Sequence, residues 1–169
     1  MPMIFQIESE PVTEDTLLSE DTIMESWLYD SVIDRYYKVG DDEAVLREDL
    51  LPLLLGKDNA FAELVTLGYD SDNQVISFTF HEGYQAAYFV EIYKLFQQKL
   101  NEFVGTMDYD RCISGKLVSE MNRLNSIVDN EFGDYVYTDD EYIVFDEFIR
   151  FAKIGTPYYI GVGGFMYYK

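Results

Sequence analysis

The side chains with the most distinctive chemistry are His81 and Cys112, the one histidine and the one cysteine of the chain. A nucleophilic pair would need an imidazole within hydrogen-bond reach of a thiol or a serine hydroxyl. No local signature accompanies either residue. The simpler reading of His81 is a partly buried ring bonded to a nearby backbone group or carboxylate. A zinc site takes about three or four Cys, His or carboxylate ligands at suitable spacing, and one His and one Cys thirty-one positions apart do not supply it. Asp70-Ser71-Asp72 begins like a calcium loop, but the loop glycine is missing and His81 stands where the closing glutamate belongs. A tight turn accounts for those residues. No GxGxxG, Walker or GxSxG motif occurs, and no helix follows Gly161-Val162-Gly163-Gly164 to receive a phosphate. No cofactor or metal is expected, and neither residue is expected to be catalytic.

Carboxylates dominate what remains. Thirty-two acids stand against twelve bases, a net charge of −20 over 169 residues. Paired carboxylates could serve a glycosidase or a metal-dependent nuclease, yet at this density pairs arise anywhere. Their distribution says more. No base precedes Arg35, while Glu8, Glu10, Glu14, Asp15, Glu20, Asp21, Glu25, Asp30 and Asp34 do. A second base-free segment, Asp129 to Glu147, holds Asp129, Glu131, Asp134, Asp139, Asp140, Glu141, Asp146 and Glu147. Such a field keeps a protein soluble and repels nucleic acid and anionic membranes. An acidic solvated surface is the plain explanation. Fifteen tyrosines tilt the balance towards a binding surface, because tyrosine is enriched where proteins meet.

Carboxylates on neighbouring helical turns lie ~5–6 Å apart, and a DNA duplex carries one phosphate per ~1.7 Å of axis. An acidic face can therefore imitate part of a nucleic acid. The expectation is an inhibitor, not an enzyme, that occupies the basic, nucleic-acid-binding surface of a partner protein. Phage anti-CRISPR and antirestriction inhibitors work this way as a class. The expected contact residues are Glu14, Asp15, Glu20, Asp21, Glu25, Asp129, Glu131, Asp134, Tyr137, Asp139, Asp140 and Glu141. Trp27, Tyr29, Tyr135 and Tyr142 could add desolvated anchors. The alternatives are an immunity protein against a nuclease toxin, a carboxylate- or His81-dependent enzyme, and an assembly subunit. A cytoplasmic location is expected, since one cysteine makes no internal disulfide, no segment approaches ~20 apolar residues, and the N-terminus carries no signal-type pattern.

The elements that must position these residues follow from periodicity. Val75–Phe80 alternates, with Ile76, Phe78 and Phe80 on one face. With Ala62–Tyr69 it predicts a hairpin across Asp70–Asn73. From Tyr84 to Val104 a stripe of Phe89, Ile92, Tyr93, Phe96, Leu100 and Phe103 predicts a central, buried helix ending near Gly105. Met3–Ile7 reads as a strand. Thr13 to about Tyr37 reads mainly as helix, capped by Ser19 or Thr22, with Met24, Trp27 and Leu28 inward, although 32–39 also alternates. Glu43–Leu51 reads as a helix disturbed by Pro52 and Gly56. Helices are also predicted over 115–130, with Leu117, Met121, Leu124 and Val128 as its stripe, and from Thr138 to Lys153. The second of these opens on Thr138-Asp139-Asp140-Glu141 in capping-box spacing, and places Ile143 or Val144, Phe148, Phe151 and Ala152 inward. Between them 134–138 forms a strand. The aromatic tail, 158–169, forms a strand pair or one bulged strand. Strands and helices without regular alternation predict α+β, with a small antiparallel or mixed sheet packed against several helices in a single domain, 1–169.

Overall fold

The structure, a computed structural model, describes residues 3–31, 33, 35–38, 45–69, 75–108, 110, 112, 114–128 and 133–168. The fold is α+β. Its contacts divide into two compact units, Met1–Tyr84 with Gly133–Lys169, and Gln85–Phe132.

The first unit is built on a seven-stranded mixed sheet. Its strands are β1 (Met3–Glu8), β2 (Arg35–Lys38), β3 (Val65–Tyr69), β4 (Val75–Phe80), β5 (Tyr135–Thr138), β6 (Glu141–Val144) and β7 (Pro157–Tyr168). They run in the order β3-β4-β7-β1-β5-β6, with β2 pairing the far end of β7. β1 lies parallel to β5 and antiparallel to β7. It is covered on both faces, which is why Met3-Ile4-Phe5 and Ile7 read as an almost continuous apolar run. On one face, Leu18, Ile23, Leu28 and Ile33 pack with Ile4, Tyr135, Tyr137, Tyr142 and Phe165. Elsewhere in the core Phe78, Phe80, Phe148 and Tyr158 form a ring cluster, with Phe78 and Tyr158 stacked at 5.7 Å.

The tail is one long strand, and its irregularity falls opposite Gln6. Phe5 pairs with Gly164 and Ile7 with Ile160, so β7 spends two more residues than β1 across this gap. The hairpin of β3 and β4 forms, and its predicted turn, Asp70–Asn73, lies outside the described residues together with the calcium-like Asp70-Ser71-Asp72. Alternation in β4 is broken by a bulge. Gly68 pairs with Ser77 and Tyr69 with Val75, leaving Ile76 as the extra residue. Val75 is therefore buried beside Phe78 and Phe80, while Ile76 is exposed.

The predicted long helix over 13–37 is replaced by two short ones, α1 (Glu20–Met24) and α2 (Trp27–Ser31), and by β2. Ser19 caps α1, accepting from the Thr22 N–H at 3.2 Å. The Ser26 hydroxyl donates to the Ile23 carbonyl at 2.6 Å, a local bond that competes with continuation of the helix. Leu28 points inward, whereas Met24 and Trp27 are exposed. Further on, a π-helical turn over Leu46–Leu50 leads into α3 (Leu51–Leu55). Pro52 has no N–H to give to the preceding turn, and the chain widens just before it. Gly56, at φ 71°, ends α3, and the ring of Phe61 occupies the place its Cβ would take. The Leu54 carbonyl at that end accepts from the Tyr84 hydroxyl at 2.8 Å.

A further correction concerns residues 138–153. Thr138-Asp139-Asp140-Glu141 caps no helix; it is the two-residue turn of the β5–β6 hairpin, in which Thr138 pairs with Glu141. Asp139 and Asp140 have φ of 49° and 63°, the left-handed pair that such a turn requires and that Asp tolerates. The helix, α6 (Phe145–Phe151), begins only after β6. Phe145, Phe148, Ile149 and Ala152 are buried and Phe151 is exposed.

The second unit holds most of α4 (Tyr84–Gly105), together with α5 (Lys116–Val128). α4 has its predicted range but not its predicted burial. Only Tyr84, at its start, is buried; Phe89, Ile92, Phe96 and Phe103 are half-buried, and Tyr93 and Leu100 are exposed. Leu117 and Leu124 of α5 are likewise half-buried, and Met121 is exposed. The hydrophobic weight of the chain therefore lies in the sheet. Among the described residues no helix is long and apolar enough to cross a membrane.

These placements fix an order of stability effects. Phe78→Ala should cost ~3–5 kcal/mol, as for a fully buried phenylalanine. Phe96→Ala should cost about 1 kcal/mol or less, in keeping with half-burial. Urea melts of the two variants decide it, and a larger loss at Phe96 would return the core to α4.

Candidate functional site

The site begins with a polar residue in an apolar strand. Gln6 is 1% exposed, on the face of β1 that also carries Ile4. A buried amide must find partners, and Gln6 finds them in the segment that crosses its face. Its Nε2 donates to the Thr16 carbonyl at 2.7 Å, and its Oε1 accepts from the Leu18 N–H at 2.9 Å. A Cβ at position 161 would overlap the Gln6 side chain, so Gly161 leaves the room this amide occupies. Thr13 and Thr16 close a small turn, with the Thr13 N–H donating to Thr16 Oγ1 at 2.9 Å. The first acidic segment is thereby fixed over β1.

The hairpin turn of β5–β6 arrives beside it, because β5 is the parallel neighbour of β1. Glu8, the last residue of β1, accepts from the Asp139 N–H through Oε2 at 3.1 Å. Tyr137, mostly buried, donates from its hydroxyl to Asp140 Oδ1 at 2.9 Å. Its phenol is pushed up to about 12 by burial and by the neighbouring Asp140 carboxylate.

Two adjoining clefts result. One, of about 500 Å³, is lined by Glu8, Glu10, Asp15, Asp139 and Asp140 among others. The second, of about 630 Å³, is lined by Thr22, Glu25, Ser26, Trp27, Tyr137, Asp140, Glu141 and Tyr142. They share Thr22, Tyr137 and Asp140. Together they gather, among the described residues, seven carboxylates, four from the first base-free segment (Glu8, Glu10, Asp15, Glu25) and three from the second (Asp139, Asp140, Glu141), and no described Lys or Arg lines either cleft.

The expected contact residues fall into groups. Asp15, Glu25, Tyr137, Asp139, Asp140 and Glu141 come together at these clefts. Glu14, Glu20 and Asp21 are exposed on the same segment but do not line them, the latter two in the first turn of α1. Asp134 serves the fold: it is half-buried, and its Oδ1 accepts from the Met3 N–H at 2.8 Å. Asp129 and Glu131 lie outside the described residues. Absent from the expected set were Glu8 and Glu10, together with the amide that organises them. The signal for Gln6 was present as a lone polar side chain in the middle of Met3–Ile7.

The other candidate chemistry is dispersed. His81 is exposed, not partly buried, and its Nε2 lies 2.7 Å from Thr66 Oγ1 across the β3–β4 hairpin. Cys112 is exposed in the other unit. Among the described residues no three of His, Cys, Asp or Glu are grouped so as to hold a metal ion. No protein-family model, no curated protein and no solved structure matches this chain.

The electrostatic consequence is measurable. Burial raises the Glu8 carboxyl above its ordinary 4.5; the Asp139 and Asp140 charges add to the rise, and bonds from the Asp139 N–H and the Gln6 side chain oppose it. Burial, reinforced by Asp49 and Asp146, also raises Asp134 above 3.8. A raised folded-state value means that the folded chain holds the proton more tightly than the unfolded one. For Glu8 this stabilisation is complete below 4.5 and is lost as pH climbs through the folded-state value. Acidification from pH ~7 to ~5 should therefore raise the melting temperature. Glu8→Gln should melt above the wild type at neutral pH, and the gap should close below the window. Thermal melts across pH check this, and a gap independent of pH would contradict it.

Proposed function

We propose that this protein is an inhibitor that binds another protein and occupies its basic, nucleic-acid-binding surface, acting in the cytoplasm in the manner of anti-CRISPR and antirestriction proteins. One observation carries the reading: residues of two base-free segments, more than a hundred positions apart in sequence, supply seven carboxylates to adjoining clefts with no Lys or Arg among the described residues that line them. Gathering like charge costs stability through self-repulsion, and a need for solubility alone would be met by spreading it. The exposed Trp27 ring beside the carboxylates gives the face an apolar anchor as well as field.

Binding of this kind is steered by charge, so it is fast at low salt and slows as the Debye length shrinks. The test is association kinetics of a basic partner captured from the source cells, with its nucleic acid as competitor. Asp139→Asn, Asp140→Asn and Glu141→Gln combined should slow association severalfold at ~50 mM salt and matter less at ~300 mM. The turn should survive, since Asn tolerates positive φ and its amide oxygen still accepts from Tyr137. The partner's nucleic acid should be displaced. A partner that binds both protein and nucleic acid at once, or a variant with unchanged kinetics, would count against the proposal.

A further inference from the structure

The apolar stripe on α4 is wider than what covers it. Only Tyr84, at its start, is buried. Phe89, Ile92, Phe96 and Phe103 are half-buried, yet Val90, Tyr93, Leu100 and Val104 stand open, Tyr93 and Val104 each 59% exposed. With Ala86 and Gln97, which are also exposed, these residues fall at 86, 90, 93, 97, 100 and 104, in alternating steps of four and three. That is the seven-residue repeat by which one helix lays a seam against another.

Two features say what the seam meets. The first is charge. α4 holds two bases and two acids, paired along the helix as Glu91–Lys94 at 2.6 Å and Lys99–Glu102 at 3.0 Å. The whole net charge of −20 therefore falls on the rest of the chain, so a second copy approaches with least repulsion along α4. The second is Gln97, the one polar side chain on the seam. A lone amide in such a seam fixes register at a cost in stability. An amide has both donors and an acceptor, so it complements its own image across a twofold axis. One N–H of Gln97 goes to the Tyr93 hydroxyl at 3.1 Å, and Nε2 carries a second.

The borders of the seam set its direction. Phe89, Phe96 and Phe103 flank it on one side, Lys94 and Asn101 on the other. Parallel helices bring opposite borders together, phenylalanine against Lys94. Antiparallel helices bring like borders together, phenylalanine against phenylalanine and Lys94 against Asn101. We infer that α4 pairs with α4 of a second copy of this chain, antiparallel about a twofold axis at Gln97. Val90 of one copy then meets Val104 of the other, Tyr93 meets Leu100, and the two amides bond each other. Seam and phenylalanine border offer the two copies on the order of 1,000 Å², the low end of a specific interface, which suits a reversible pair.

The inference stands apart from the acidic clefts, and salt separates the two. Charge-steered binding of a basic partner weakens as salt rises, whereas pairing of two chains of −20 strengthens. Sedimentation equilibrium of the full chain from ~1 to ~200 μM should show the mass of one chain rising to that of two and stopping there. Between ~50 and ~300 mM salt the dissociation constant should fall severalfold. Leu100→Glu and Gln97→Glu should each weaken pairing at least about thirtyfold, and Gln97→Leu should tighten it. All three positions are exposed, so circular dichroism should show each variant folded. Direction is read by disulfide trapping after the exposed Cys112 is replaced by serine. Val90→Cys chains mixed with Val104→Cys chains should cross-link, and Val90→Cys alone should not, since its own image lies ~20 Å away in the antiparallel pair. A single-chain mass at every concentration, growth beyond two chains, or full pairing in Leu100→Glu overturns the inference. So does cross-linking of Val90→Cys to itself.

Discussion

A glutamine amide sealed inside a sheet constrains everything around the acidic surface. Gln6 cannot be hydrated, so its donor and acceptor must be met by protein, and the Thr16 carbonyl and Leu18 N–H meet them. Those two bonds decide the path of residues 13–18, and that path brings Leu18, Ile23 and Leu28 down onto Ile4 and Tyr135. The side chain fits only because position 161 has no Cβ. Once the first acidic segment is tied over β1, parallel pairing with β5 delivers Asp139–Glu141 beside it, and Glu8 closes the junction through the Asp139 N–H.

This arrangement opposes the ordinary electrostatics of folding. Seven carboxylates converge there, and at Glu8 burial and the Asp139 and Asp140 charges favour protonation. The fold offsets the cost with aromatic packing beneath them, in which Tyr135, Tyr137 and Tyr142 are buried in the same layer as Ile4 and Leu18. Tyrosine suits that place, since its ring joins the core and its hydroxyl can reach the charged rim, as Tyr137 does to Asp140.

Much of the fold was legible in the sequence because period and punctuation agreed: β1, the β3–β4 pair, the range of α4 and the strand at 135–138. Failures came where two local signals competed. Thr138-Asp139-Asp140-Glu141 has the spacing of a capping box, but two aspartates between Tyr135-Val136-Tyr137 and Tyr142-Ile143-Val144 also spell a hairpin turn, and cross-strand pairing of Tyr137 with Tyr142 prevails. The stripe on α4 gave the helix its length and overstated its burial, because periodicity reports amphipathicity and not what covers the apolar side. The acidic bias of the site was legible as composition. Its assembly was not, because it depends on the long-range neighbours β1 and β5 and on one amide whose role appears only when its partners are placed.

The most direct test of the account is the footprint of a basic partner on this protein by hydrogen–deuterium exchange of the complex. The account requires protection at Glu8–Trp27 and Tyr135–Tyr142 together, the two segments that share the clefts. Protection confined to the exposed side of α4, or to the β3–β4 hairpin that carries His81, would contradict it and reduce the charge of −20 to a solubility feature.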